Sequence, residues 1–308
     1  MIKNLLIVIG FLILVIAVYY PSRHARRYDY ISVEDIPNEL NLHWPQFIDY
    51  HLKNCSLQNI LVNSKEIDIS SITKEKYFQK PLTGGEFKPD SCTPLEKSAI
   101  IVPYRDRPYH LKHFVNFMHW YLQQQSLHYR IIVVHQNDSL PFNRAKMLNY
   151  GAKFAIRLNY HCLILHDVDL IPINTGNIYA CSKKPRHMSS SLDTFRYNLP
   201  YLTLFGGAVS ITSEQFIKVN GMSNMFYGWG GEDDDFYRRL TLNSMEPCRF
   251  SPEISKYTML IHKKEQASEN RFNTLEKTEG NYKEDGLNTI SNDFVIKLEE
   301  LYTLLIVP

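Results

Sequence analysis

Hydrophobic positions along this chain are bunched rather than evenly spread. The densest run, LLIVIGFLILVIAVYY at residues 5–20, carries no charge over sixteen residues. As a helix it would extend about 24 Å, a little short of a bilayer core of about 30 Å and better matched to the thinner membranes of the early secretory pathway. A cleaved signal peptide is the rival reading. Small residues for a cleavage site are scarce between Ala17 and Pro21, which favours an uncleaved anchor. Lys3 precedes the run while Arg23, Arg26 and Arg27 follow it, so the positive-inside rule alone favours an outside N-terminus.

Residues 21–50 are polar, contain Pro37 and Pro45 and lack a sustained apolar period, the pattern of a stem or linker. From Ala99 a rhythm sets in. AIIVP at 99–103 is a buried-strand run ended by the loop YRDRP, and Leu111, Phe114, Val115, Met118 and Leu122 then recur at helical spacing to about Gln125. RIIVVHQ at 130–136 is a second strand, followed by a helical pattern through Phe142, Ala145, Leu148 and Ala152, and HCLILHD at 161–167 is a third strand. This alternation predicts a parallel sheet with right-handed crossovers. Ligands of such sheets gather at the carboxyl ends of strands, where two charged loops fall, at 104–107 and 167–169. The first lacks Gly-x-Gly-x-x-Gly, against an ordinary dinucleotide site. The second half of the chain is patterned more loosely.

Composition excludes more than it identifies. With 308 residues, 44% hydrophobic, 21% charged and 13 Gly, the chain can bury a sizeable core and is neither disordered nor collagen-like. Lys+Arg 34 against Asp+Glu 32 gives +2, which carries no bulk electrostatic case for nucleic acid. Cys55, Cys92, Cys162, Cys181 and Cys248 permit two disulfides with one thiol left over, and no zinc-finger spacing occurs. N-x-S sequons stand at Asn54 and Asn137. Anchor, cysteines and sequons together favour a lumenal domain.

Chemistry concentrates in a few places. Asp167 and Asp169 flank Val168 at the end of the third strand, where alternation would put both carboxylates on one side, suited to a divalent ion holding a diphosphate. The bland alternative is a strand-end turn with solvated acids. Glycines 228, 230 and 231 surround Trp229, and Glu232, Asp233, Asp234 and Asp235 follow; four acids in a row repel unless they cap a helix, bind a cation or act as bases. A helix through Phe236, Tyr237 and Leu240 would use them as a charged N-terminus. Trp229 reads either as a mobile cover for a ligand or as a core aromatic. Met259 and His262 offer a thioether and an imidazole, a pair that is usually packing. Arg105, Arg107 and Arg144, the last beside Phe142, could hold phosphates or form surface salt bridges.

Taken in order, PYRDRPYHLKHF, PFNRAKMLNYG, HDVDLIP, PRHMS, LFGGAVS, YGWGGEDDDFYRRL, MLIH and NRF resemble the β-1,4-galactosyltransferase family (glycosyltransferase family 7) of type II Golgi enzymes, from about Cys92 to Leu287. The resemblance implies an α/β GT-A nucleotide-sugar-binding fold, an open and mostly parallel sheet with flanking helices. It implies a cytoplasmic tail at 1–4, a transmembrane signal anchor at 5–20, a stem at 21–50 and a lumenal catalytic domain at 51–308. It also implies inverting transfer from a UDP-sugar to the 4-hydroxyl of a terminal GlcNAc, with Mn2+ as cofactor. Asp169, Met259 and His262 match the metal ligands, a donor set suited to Mn2+ over Mg2+ or Ca2+. Asp233 matches the base, with Glu232 and Asp234 orienting it or the acceptor. Pro103, Arg105, Arg107, Phe142, Arg144, Asp167, Val168, Leu204 and Trp229 match the donor site. Gly230, Gly231, Asp234, Arg271, Phe272 and Leu275 match the acceptor site. Trp229 lies in the family's short closing loop, and the long one begins at Leu260. The resemblance pairs Cys55 with Cys92 and Cys162 with Cys181, leaving Cys248 unpaired, and it turns the C-terminal domain to the lumen.

One departure bears on the donor. Galactose-transferring members carry Tyr just before Phe-Gly-Gly, where this chain has Leu204, and smaller aliphatic residues there mark the N-acetylgalactosaminyl-transferring invertebrate members. The expected activity is therefore β-1,4-N-acetylgalactosaminyl transfer from UDP-GalNAc, with UDP-Gal transfer as one alternative and a non-catalytic glycan-binding protein as the other. Tyr104, Asp106 and His166 also differ from the family's commonest residues, without removing a catalytic group.

Overall fold

The computed structural model describes residues 2–19, 28–42, 52–68, 79–263 and 265–308. In chain order the helices are α1 (Ile2–Tyr19), α2 (Ile36–Glu39), α3 (Gln58–Val62), α4 (Pro108–Gln123), α5 (Arg144–Arg157), α6 (Ser213–Lys218), α7 (Glu232–Leu242) and α8 (Arg271–Lys277). The strands are β1 (Glu86–Phe87), β2 (Lys97–Tyr104), β3 (His128–Gln136), β4 (Cys162–His166), β5 (Leu170–Pro172), β6 (Arg186–His187), β7 (Ser191–Leu192), β8 (Ala208–Thr212), β9 (Lys256–Met259), β10 (Val295–Leu298) and β11 (Thr303–Val307).

The three apolar runs form β2, β3 and β4, parallel neighbours at the centre of the main sheet. They read as continuous apolar segments because both faces are covered. Ile100, Val102, Ile131 and Val133 share one cluster with Phe114, Val115 and Met118 of α4. Ala99, Ile101, Ile132 and Val134 share the other with Ala145, Met147 and Leu148 of α5 and with Phe236 and Leu240 of α7. Helix α5 starts where the Asn143 side chain accepts from the Lys146 N–H at 2.9 Å, a standard N-cap. It approaches β2 so closely that any side chain at Gly151 would strike Ile101.

The sheet corrects one expectation: it is mixed, not mostly parallel. Its order is β10-β11-β3-β2-β4-β8-β6, with β1 also on β3. The β11–β3, β3–β2 and β2–β4 pairs are parallel, whereas β10–β11, β4–β8, β8–β6 and β1–β3 are antiparallel. After β4 the chain makes a long excursion before β8, and β8 comes back along β4 instead of crossing over in parallel. During that excursion β5 and β7 pair with β9 in a separate small sheet.

Residues 28–42, stem-like by polarity, lie on the domain. Ile36 is fully buried, Ile31 bridges to Phe250, and the Asn41 N–H donates to the Cys181 carbonyl at 2.8 Å. The rest of the expected stem, 21–27 and 43–50, lies outside the described residues. Helix α1 covers the apolar N-terminal run with its described side chains largely exposed. Among the described residues no helix is long and apolar enough to cross a membrane. Cys55–Cys92 and Cys162–Cys181 are disulfide-bonded, and Cys248 is free.

Candidate active site

The carboxyl ends of β2, β3 and β4 deliver three loops to one place. Chain extension stops at His166, and residues 167–169 form a turn in which the Leu170 N–H donates to the Asp167 carbonyl at 3.3 Å. This overturns the expectation that the two acids share one side of a strand. A turn gives them different partners: Arg144 Nε donates to Asp167 Oδ1 at 2.6 Å, and Arg107 Nη1 to Asp169 Oδ2 at 2.9 Å.

Asp169 is also where Met259 and His262 arrive. β9 runs antiparallel to β5, setting Met259 opposite Leu170, and the Leu260 N–H donates to the Asp169 carbonyl at 2.7 Å. His262 Nδ1 donates to the Lys263 carbonyl at 2.8 Å, and Nε2 lies 3.0 Å from Asp169 Oδ2. The carbonyl that orients the imidazole is the outer support expected of a metal-bound histidine. The donor set fits Mn2+. Among the described residues there is no cluster of three His, Cys, Asp or Glu side chains able to hold a metal ion; the third ligand here would be the Met259 thioether.

The acidic cluster opens α7. Gly231 caps it at φ 97°, and all four acids lie in the first turn, at the positive end of the helix dipole. Their environments then divide them. Glu232 Oε1 stands 3.8 Å from Arg144 Nη1, and its Oε2 is buried with no hydrogen-bond partner among the described residues. Arg144 thus ties the acidic helix to the Asp167 turn. Asp233 packs on the Phe-Gly-Gly segment: a Cβ at Gly206 would fall 2.8 Å from Asp233 Oδ2. Burial, followed by the charges of Glu232 and Asp234, pushes Asp233 up to about 7. Asp234 accepts a hydrogen bond from the Tyr201 hydroxyl, and burial raises its pKa against that bond. Asp235 is structural, its Oδ2 accepting from Arg239 Nε at 2.7 Å.

The other expected residues group around these. Among the described residues Arg105 pairs with no acid; it donates to the Leu140 carbonyl at 2.6 Å and lies over the Phe142 ring. Pro103 and Val168 are buried beneath the loops. Leu204 is half-buried, and its carbonyl accepts from Arg249 Nη2 at 3.1 Å. The Gly228 N–H donates to the Phe142 carbonyl at 2.9 Å, and the Trp229 carbonyl accepts from the Ser268 N–H at 3.0 Å, so the glycine loop joins the second strand's loop to the segment after His262. The Trp229 side chain is 54% exposed and thus no core aromatic. Gly230 lies against Arg271, whose guanidinium covers the Phe272 ring at 4.3 Å. Leu275, on α8, accepts from Arg238 Nη1 at 3.3 Å through its carbonyl. Asn54 and Asn137 are exposed.

Sequence reading missed several members. Gly206 and Tyr201 contact the acids directly. Asp193 accepts from the Met259 N–H at 3.2 Å and from the Thr258 hydroxyl, steadying β9. His110 donates from Nε2 to the Ile261 carbonyl at 3.2 Å, beside His262. His110 lies within PYRDRPYHLKHF and Gly206 within LFGGAVS, but their contacts, like those of Tyr201 and Asp193, come only from proximity in the fold.

A family profile described as the N-terminal region of glycosyl transferase group 7 matches residues 52–182, and one described as the N-terminal domain of galactosyltransferase matches 186–263. Beta-1,4-galactosyltransferase 4 of Cricetulus griseus is 38% identical over 252 residues, covering 80% of this chain and 73% of that protein. Beta-1,4-galactosyltransferase 3 of Homo sapiens is 40% identical over 226 residues, 71% of this chain and 58% of that protein. The catalytic domain of Drosophila beta-1,4-galactosyltransferase 7, solved with xylobiose, superposes with a TM-score of 0.59 at 29% identity over 68% of this chain and 92% of that one. A mutant of the same enzyme, solved with manganese, UDP-Gal and xylobiose, superposes at 0.58 and 30% over the same shares. On this evidence the chain belongs to the β-1,4-galactosyltransferase family of group 7 glycosyltransferases, and it is a hexosyltransferase.

Proposed function

We propose that this protein is an inverting, Mn2+-dependent β-1,4-N-acetylgalactosaminyltransferase that moves GalNAc from UDP-GalNAc to a terminal GlcNAc of glycoprotein or glycolipid glycans. The observation that carries the reading is Asp233, a carboxyl held near neutral pKa against Gly206, next to the Arg144–Asp167 pair that leads to Asp169. Asp233 Oδ2 takes the proton of the acceptor 4-hydroxyl as that oxygen attacks the anomeric carbon; the bond to UDP breaks on the opposite face, inverting the centre. Asp169, Met259 and His262 would hold the Mn2+, which would supply Lewis-acid neutralisation of the diphosphate. Arg107 and Arg144, which pair with Asp169 and Asp167, supply guanidinium groups to the diphosphate oxygens. Pro103, Arg105, Phe142, Asp167 and Val168 hold the uridine side. Trp229 and the segment after Leu260 close to exclude water, and Arg271, Phe272 and Leu275 receive the acceptor's N-acetyl group beside Gly230 and Gly231. The manganese and UDP-Gal bound by the Drosophila enzyme support the metal and nucleotide parts of this reading.

GalNAc is preferred because Leu204 lacks the bulk of a tyrosine beside the donor. A panel of UDP-sugars with a GlcNAc acceptor, run with Mn2+ and with Mg2+, tests this: faster GalNAc than Gal transfer is expected, and faster Gal transfer makes the protein a galactosyltransferase. No transfer from any donor leaves a glycan-binding protein. The enzyme works as a single-pass type II Golgi protein, with residues 5–20 in the membrane and the catalytic domain lumenal. The two disulfides suit that oxidising compartment, and the exposed Asn54 and Asn137 are open to glycosylation there. Protease protection in sealed microsomes should spare the catalytic domain; its digestion would reverse the topology.

A further inference from the structure

His166, the last residue of β4, is fully buried, as are Tyr179 and Tyr257. His166 Nδ1 lies 2.8 Å from the Asp167 carbonyl. A carbonyl only accepts, so Nδ1 bears the proton and Nε2 must accept. The Tyr179 hydroxyl, 2.9 Å away, therefore donates to Nε2. Its own oxygen is then left to accept from the Tyr257 hydroxyl, also at 2.9 Å. One carbonyl fixes the direction of three successive hydrogen bonds. Burial also keeps the imidazole neutral, with its pKa lowered to about 4, so the order is not scrambled by protonation near neutrality.

The chain joins two parts of the metal site. At one end, the Asp167 carbonyl also accepts the turn bond from Leu170 at 3.3 Å, and that turn carries Asp169. At the other, Tyr257 stands on β9 two residues before Met259, opposite Pro172 in the ladder that sets Met259 opposite Leu170. A loss of direction anywhere along it leaves a buried polar atom unpaired or turns the Nδ1 lone pair against the Asp167 carbonyl.

We propose that His166 and Tyr179 are positioning residues for the metal site, a one-way buried hydrogen-bond chain that holds the Asp169 turn in place against the strand bearing Met259. The proposal rests on Asp169, Met259 and His262 being Mn2+ ligands. Tyr179→Phe removes both the donor to Nε2 and the acceptor for the Tyr257 hydroxyl while keeping the ring. Tyr121→Phe is the control, because this tyrosine is equally buried but donates to the Asn174 and Asn177 carbonyls at 2.7 and 2.9 Å, outside the chain. Mn2+ affinity is measured by electron paramagnetic resonance on the donor-free protein, with thermal melting alongside. Tyr179→Phe should weaken Mn2+ binding about tenfold or more, while Tyr121→Phe lowers the melting temperature and leaves affinity within about twofold. Equal Mn2+ affinity in Tyr179→Phe and wild type, or equal weakening by Tyr121→Phe, overturns the proposal. A wild-type protein that binds no Mn2+ overturns the ligand reading and this inference with it, and its own titration reveals that before any variant is compared. Independently of metal, nitrogen-15 spectra of histidine-labelled protein should give His166 as the Nδ1–H tautomer; an Nε2–H tautomer refutes the chain outright.

Discussion

Gly206→Ala should disable the enzyme while leaving it folded. The new methyl would fall 2.8 Å from Asp233 Oδ2 and 3.4 Å from its Cγ. Favourable contact distances begin near 3.5 Å, so the overlap with the oxygen is roughly 0.7 Å. Gly206 is not among the glycines with positive φ, so alanine meets no backbone strain there. Which side yields is decided by what pins each. The Gly206 carbonyl accepts from His187 Nε2 at 3.1 Å and from Ser189 Oγ at 3.3 Å, and Phe205 is buried against Phe236 with ring centroids 5.7 Å apart. Asp233 is held less firmly and must turn. A rotation of about 30° off its rotamer costs about 0.5–1.5 kcal/mol, or a few degrees in melting temperature for a domain of this size. The base, however, is then misplaced by a large part of an ångström, and about 1 Å of misplacement can lower a rate about 100-fold. We expect kcat to fall about 10- to 100-fold, with donor KM within about threefold, in steady-state assays of UDP release with saturating donor, GlcNAc and Mn2+. In an Asp233→Asn background the same change should add little, because both act through one group. A kcat within twofold of wild type, or full additivity with Asp233→Asn, refutes the reasoning.

Other expectations can be checked directly. Asp233→Asn should bind UDP-sugar normally and lose transfer; unchanged turnover removes Asp233 as the base. With Asp233 pushed up to about 7, kcat/KM should fall as the pH drops through about 7, and a flat acid limb counts against the assignment. The fold raises this pKa above that of an ordinary aspartate, so Asp233 favours folding when protonated, and that contribution is lost as pH rises through about 7. Melting of Asp233→Asn relative to wild type should therefore improve between about pH 5 and pH 8. Leu204→Tyr should shift donor preference toward galactose by about tenfold or more, read as the ratio of kcat/KM for the two donors; an unchanged ratio discards Leu204 as the gate. Replacing Cys162 and Cys181 by Ser opens a crosslink with a sequence separation of 19 and should cost about 3 kcal/mol in denaturant unfolding; a loss near zero contradicts it.

The legible parts of the molecule were those encoded by local period. β2, β3 and β4 announce themselves because strands covered on both faces are apolar at every position, and α4 and α5 because each buries one stripe. The antiparallel members were not legible. β6, antiparallel to β8, is the two-residue strand Arg186–His187, and the equally short β7, Ser191–Leu192, runs parallel to β9; neither has a period to detect. Residues 28–42 look polar although Ile36 and Leu40 fill the core, because two apolar anchors suffice to dock a short segment. In the site, charged motifs marked the acids, but their pairing was invisible: that Arg144 faces Asp167 and Glu232 while Arg107 faces Asp169 depends on a turn replacing the end of a strand. Tyr201 and Asp193 join the site only through the return of distant chain, which no spacing records, and Gly206, though part of LFGGAVS, meets Asp233 in the same way.

The docking of residues 28–42 has a bearing on reach. With α1 in a bilayer as proposed, only residues 20–27 separate its last residue, Tyr19, from the packed segment beginning at Tyr28. Even fully extended at about 3.5 Å per residue, such a leash spans roughly 30 Å, so the domain would ride close to the lipid surface. Its working zone would be a thin shell above the membrane. Glycolipids and glycans near membrane roots would be sampled constantly, and soluble cargo only when it brushed past.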